Sequence, residues 1–147
     1  MTTGMSVINV RDLWRGDWVT DWDNATATTW KIALYGAKTI DFSAALAYGT
    51  TPFNTGEQAG SGYTAGGMSV PGRTVVETGS GTGIIALTAT FMEWNPITTS
   101  TVRNALVYKT TDNKGLIVFD LGTPADVTAG VFRITMVSDR LITQKLT

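Results

Sequence analysis

The chain offers few residue types with which to do chemistry. It contains neither His nor Cys, which removes the commonest general base, the commonest metal ligand, thiolate nucleophiles and every Ser-His-Asp or Cys-His arrangement. Carboxylates remain. Glu57, Glu77, Glu93 and Asp120 could supply a glycoside-cleaving pair, but such a pair works only with its carboxyls about 5 to 10 Å apart across a cleft, and sequence does not place them. Asp21-Trp22-Asp23-Asn24 gathers oxygen ligands as calcium loops do, without the glycine and the distant bidentate Glu that complete one, so it reads as solvated carboxylates or a cap. Gly79-Ser80-Gly81-Thr82-Gly83 is glycine-rich but is followed by strand-forming residues, with no Gly-Lys-Ser/Thr, and is no phosphate cradle. Tyr35, Tyr48, Tyr63 and Tyr108 could stack on a sugar if exposed in a groove; the commoner role of tyrosine is core packing with a hydrogen-bonded tip. The expectation is a non-enzymatic protein with no cofactor and no metal.

The densest cluster of conformational freedom is Gly60-Ser61-Gly62-Tyr63-Thr64-Ala65-Gly66-Gly67, four glycines in eight residues around one ring. It lacks the strand-turn-helix context of a dinucleotide fingerprint and reads as a structural loop. Gly60, Gly62, Gly66 and Gly67 set its path, with positive φ expected at Gly62 or Gly66. Tyr63 is expected to be mostly buried and to pin the loop to a sheet.

The elements that must position these residues are strands. At 147 residues and 43% hydrophobic content the chain makes one domain with one core. Thr, Val, Ile, Gly and aromatics prevail over the straight-chain helix formers, which favours an all-β fold. A net charge of −1 with 16% charged residues is not the basic footprint of a nucleic-acid binder. The first ten residues do not read as a secretory signal, and no apolar run reaches the roughly 20 residues that span a bilayer, so a soluble chain without membrane or nucleic-acid partners is expected.

In chain order, residues 1–24 carry Trp14, Trp18 and Trp22, four apart among aspartates and Gly16. That spacing shares one face in a helix or a strand. The face either closes the domain's own core or forms an arm on a neighbouring subunit, since aromatics concentrate at interface cores. In residues 25–147, Trp30, Ile32 and Leu34 alternate with Thr29, Lys31 and Ala33 as a strand buried on one face. A short helix or single helical turn is expected over Phe42–Tyr48, behind Asp41 as N-cap. Three hairpins follow: Arg73–Thr78 with Ile84–Ala89, broken by Pro96 and the threonines after it; Val102–Lys109 with Leu116–Leu121, centrally placed; and Val131–Val137 with Leu141–Leu146. The fold class is an all-β, single-domain β-sandwich or jelly-roll-like barrel with one short helix and an N-terminal aromatic arm.

The ordered blocks Trp30-Lys31-Ile32-Ala33-Leu34-Tyr35, the Gly60–Gly67 loop, Trp94-Asn95 ahead of Arg103-Asn104-Ala105-Leu106-Val107-Tyr108, Phe119-Asp120-Leu121-Gly122 and Gly130-Val131-Phe132-Arg133-Ile134 together resemble a family of small virion structural proteins of tailed bacteriophages. Gly-Tyr-Thr-Ala-Gly-Gly is the most specific piece. The resemblance runs from about Thr29 to the C-terminus and leaves out the tryptophan-bearing segment. It implies a non-enzymatic particle component, in the host cytoplasm before assembly and in the virion after it. The leading expectation is a capsid decoration or cement protein that binds the lattice of the major capsid protein or other virion proteins as a homo-oligomer, a trimer at a local three-fold position. A tail or head-tail adaptor component and a host-surface carbohydrate-binding module are the alternatives.

Overall fold

A computed structural model describes residues 4–9, 30–77, 84–136 and 140–145. The fold is all-β and sandwich-like, with two antiparallel sheets and no closed barrel among the described residues. The larger sheet runs β2-β1-β5-β6, from β1 (Trp30–Tyr35), β2 (Met68–Ser69), β5 (Met92–Lys109) and β6 (Gly115–Ile134). The smaller runs β3-β4-β7, from β3 (Thr74–Glu77), β4 (Ile84–Thr88) and β7 (Arg140–Lys145).

The core begins at β1, which differs from its sequence reading in an instructive way. Trp30, Ile32 and Leu34 enter one apolar cluster, while Ala33 and Tyr35 enter a second, and all five are fully buried. The strand is covered on both faces because each face meets its own apolar cluster, while its two edges pair with β2 and β5. β5 obeys the same alternation: Ala105 and Val107 join the first cluster, Leu106 and Tyr108 the second. The single expected core is therefore two layers, one on each side of the larger sheet. Leu46 and Phe53, from the long connection after β1, cover the second.

That connection contains no helix at residues 42–48. Asp41 does accept from the Ser43 amide at 2.8 Å, but as a turn, and the chain then leaves helical geometry because tertiary bonds claim it. The Gly115 amide donates to Leu46 O and the Tyr48 amide to Asn113 O, both at 2.8 Å. The described helical residues are 7–9 instead. Their segment is tied down at several points: Gly4 and Val118 exchange backbone bonds at 3.0 and 2.9 Å, and the Val7 amide donates to Phe42 O. The buried Ser6 hydroxyl donates to Ala44 O, and the buried Asn9 amide group donates to both Leu46 O and Gly115 O.

Two strand expectations also change. Pro96 does not end a strand; β5 runs through it, since the proline falls at the irregularity between Trp94 and Ile97 where no ladder amide is required. The segment at Val131 is the end of β6 and pairs back on β5 (Trp94 with Phe132), while β7 pairs with β4. β3 and β4 form the expected antiparallel pair. Glycines 79, 81 and 83 of the connecting turn lie outside the described residues.

Candidate functional site

The Gly60–Gly67 loop fills a place that a strand would otherwise occupy. β1 accompanies β5 only as far as the Tyr35–Asn104 pair, so the same edge of β5 beyond it needs another partner for its polar backbone. The loop supplies one: the Thr98 amide donates to Ser61 O at 2.8 Å, and Thr99 and Gln58 side chains bond to each other. The loop opens with a turn in which the Tyr63 amide donates to Gly60 O at 3.1 Å. Backbone then lies directly on backbone. A Cβ at Gly62 would fall 2.0 Å from Pro96 O, and one at Gly67 would fall 1.8 Å from Ile32 O. φ is +81° and +74° at these positions, and Gly66 also has positive φ, so both residues need glycine for space and for conformation.

One carboxylate holds this loop down, and it was not legible as a loop anchor. Glu57 Oε1 accepts from the Tyr63 hydroxyl at 2.8 Å and from the Gly66 amide at 2.5 Å, while Oε2 accepts from the Tyr48 hydroxyl at 2.8 Å. The Tyr108 hydroxyl donates to Gly66 O at 2.9 Å, and Tyr63 Oη accepts from the Leu34 amide at 2.9 Å. Glu57 is the sole charged residue between Asp41 and Arg73, which was the available signal: a lone carboxylate in an uncharged, glycine-rich stretch needs donors.

The four tyrosines named from sequence do come together here, but not as an exposed platform. Tyr35 and Tyr108 are buried, Tyr48 stacks on Tyr108 with centroids 4.4 Å apart, and Tyr35 meets Phe53 edge-on at 5.0 Å. Tyr63 is mostly buried, as expected, packed against the first apolar cluster with its ring 6.3 Å from that of Trp94. Burial pushes the Tyr35, Tyr63 and Tyr108 phenols well above their ordinary range, and the Glu57 charge pushes all three the same way. Phenols held in the protonated form are hydrogen-bond donors here rather than nucleophiles or bases. The arrangement can fix a loop; it is poorly suited to proton transfer at neutral pH.

The remaining carboxylates named above are held separately. Glu93 Oε2 accepts from Arg133 Nε at 2.6 Å, and Asp120 lies 3.5 Å from Arg103 Nε. The Glu77 side chain, the Asp21–Asn24 ligand set and Trp14, Trp18 and Trp22 all lie outside the described residues. At the far end of the β5–β6 hairpin, Phe91 and Val131 are 47% and 51% exposed, on either side of the Glu93–Arg133 pair. The Arg133 guanidinium covers the Phe91 ring at 4.4 Å. This outward face is the apolar surface that the body presents at that end.

Among the described residues, no helix is long and apolar enough to cross a membrane. Comparison with protein-family models, with curated proteins and with solved structures gave no match.

Proposed function

We propose that this protein is a non-enzymatic structural component of a tailed-phage particle, a decoration or cement protein seated on the lattice of the major capsid protein as a closed homo-oligomer. The observation that carries the reading is where the family-like sequence blocks fall. Trp30–Tyr35 is β1, the Gly60–Gly67 loop is bound to Glu57 and β5, and Arg103–Tyr108 is the inner half of β5. These blocks build the frame, and the Gly130–Ile134 block carries Val131 on the outward face beside Phe91. A rigid frame with an aromatic-bearing outer face suits attachment to a protein lattice.

Fractionation of particles into heads and tails, followed by mass spectrometry, tests the reading. Recovery with heads at a copy number matching lattice positions is expected; recovery in tails alone, or at the copy number of a single ring, would assign it to the tail or adaptor. Trp14, Trp18 and Trp22 remain the proposed second contact. Because residues 4–9 pack into the body, the suitable variant replaces the three tryptophans with serine and leaves the segment in place. A folded protein that no longer joins heads is the expected result; loss of folding would return these rings to the domain's own core.

A further inference from the structure

We infer that the cleft between the residues after β1 and the break in the β5–β6 ladder is a binding site for a carboxylate monoanion with a small apolar body, received by Arg103. The cleft has a volume of about 360 Å³ and is lined by Thr39, Ile40, Phe42, Arg103, Asn104 and Asp120 among others, a size within the usual range for small-molecule sites.

The ladder is deformed at this point in a way that re-aims side chains. Val102 pairs with Ala125 while Asn104 pairs with Asp120, so a two-residue step on β5 is matched by a five-residue step on β6. Bulges of this kind break the alternation of side chains between faces and recur beside functional sites. Backbone strain sits at the same place. Thr101, a β-branched residue, has φ +55°, and its amide is held by Asp126 Oδ1 at 2.6 Å. Such a conformation persists only where its surroundings enforce it.

The result is an arginine presented end-on. Asp120, with 9% of its side chain exposed, has Oδ1 fixed by the Gly122 amide at 3.0 Å and lies 3.5 Å from Arg103 Nε. Asp120 thus acts as a positioning residue on the Nε side of the guanidinium. Among the described residues no partner engages the terminal Nη pair of Arg103, whose side chain is 34% exposed at the cleft. That edge is a planar two-donor fork, the geometry that a carboxylate matches bidentately. Asn104 is buried and already committed, accepting from the Lys38 amide at 2.8 Å and donating to Phe119 O, so it forms a wall rather than a receptor. Ile40 and Phe42 offer the apolar surface. Lys38 also lines the cleft, so the charges of Lys38, Arg103 and Asp120 sum to +1, which a carboxylate monoanion matches and a phosphate dianion exceeds.

The experiment is an NMR titration of the full chain, following Arg103 Nε–H and the Ile40 methyl groups, with isovalerate, isovaleramide, inorganic phosphate, and the peptide Gly-Gly-Leu with a free or amidated terminus. Saturable shifts with the two carboxylates are expected, and none with either amide. Tighter binding of isovalerate points to a free acid as natural ligand, tighter binding of the peptide to a chain terminus. R103K should weaken binding by about tenfold or more through loss of the fork. I40D, which places a competing carboxylate in the cleft while leaving Arg103 intact, should abolish binding with the other resonances unmoved. Binding of an amide as strong as its acid, phosphate binding as tight as carboxylate, unchanged binding in R103K, or no saturation with either carboxylate would overturn the proposal.

Discussion

The two halves of the β5–β6 hairpin are made from the same two strands and behave differently. In the inner half, Asn104 to Val107 pair residue by residue with Asp120 to Ile117, and β1 covers the other edge of β5. In the outer half the register shifts between Trp94 and Ile97, Ile97 and Thr99, Thr99 and Val102, and Val102 and Asn104, whereas the inner half has one shift, between Val107 and Tyr108 where the hairpin turns. The inner half is flanked on both faces by apolar clusters, and a slip of one residue there would move every buried side chain to the wrong face. The outer half borrows a glycine loop for its neighbour and carries exposed Phe91 and Val131. Regularity is therefore enforced where both edges and both faces of a strand are occupied. Where they are not, the backbone is free to make bulges, clefts and outward surface.

The largest test of this contrast is alkaline pH, which attacks the inner half through Tyr35 and Tyr108 and the glycine loop through Tyr63. Tyr35, Tyr63 and Tyr108 have phenols raised above their ordinary value, chiefly by burial. The unfolded chain then releases protons at a pH where the folded chain keeps them. The stabilisation is complete below about pH 10 and is lost as pH rises from there towards the folded values. Each such tyrosine costs about 1.4 kcal/mol per pH unit in that window, so three together cost about 4 kcal/mol per unit. Phenolate absorbance should stay largely hidden until the far-ultraviolet signal collapses, with both changing in one step between about pH 10 and 12. Smooth ionisation of all four tyrosines near pH 10 in a folded chain would show that the inner face is open to water.

A core truncation comes next. Leu106 is fully buried in the inner half, within the layer beneath Leu46 and Phe53, so Leu106→Ala should cost about 3 to 4 kcal/mol in denaturant unfolding. Gly62→Ala should cost less, about 2 to 3 kcal/mol, through positive φ and a clash with the Pro96 carbonyl. Hydrogen exchange separates the two. Leu106→Ala should lower protection throughout the larger sheet, while Gly62→Ala should lower it first at Thr98 and its neighbours. Equal loss everywhere in both variants would mean that the halves unfold as one unit.

The contrast also explains what the sequence could disclose. The Trp30–Tyr35 strand, the Val102–Leu121 hairpin and a positive φ at Gly62 or Gly66 were legible because each follows from a local rule, alternation or glycine density. The Phe42–Tyr48 helix failed because Leu46 and Tyr48 are bonded to Gly115 and Asn113, some 65 to 70 positions away in the chain, and local propensity carries no information about such partners. Pro96 misled for the same reason, since a proline ends a strand or sits in a bulge according to pairing that only the fold reveals. In the candidate site the glycines were visible, whereas Glu57 gained meaning only when Tyr48, Tyr63 and the Gly66 amide converged on it.

Glu57→Gln sharpens the point at a smaller scale. The side chain keeps its shape, but one accepting oxygen becomes an NH2 that faces a phenol or the Gly66 amide, each of which donates to Glu57. A cost of about 1 to 2 kcal/mol is expected, with Gly66 and Gly67 amide protection falling before that of β1. Stability equal to the wild type would mean that the loop is held by its backbone bonds and glycine packing alone.

The smallest effect on stability should come from the outer face, and that is its diagnostic value. Phe91 is about half exposed and touches Arg133, which Glu93 already holds. Phe91→Ser, alone or with Val131→Ser, should shift the unfolding free energy by no more than about 0.5 kcal/mol. A residue retained for its contribution to the fold would cost more. On the proposed role, the same double variant should bind isolated capsids far more weakly in a sedimentation assay, because apolar and aromatic side chains at the centre of an interface carry much of its affinity. Unchanged co-sedimentation would move the contact surface elsewhere on the protein. A large stability loss would mean instead that the outer half is fixed by its side chains as firmly as the inner half, and the distinction between the two would fail.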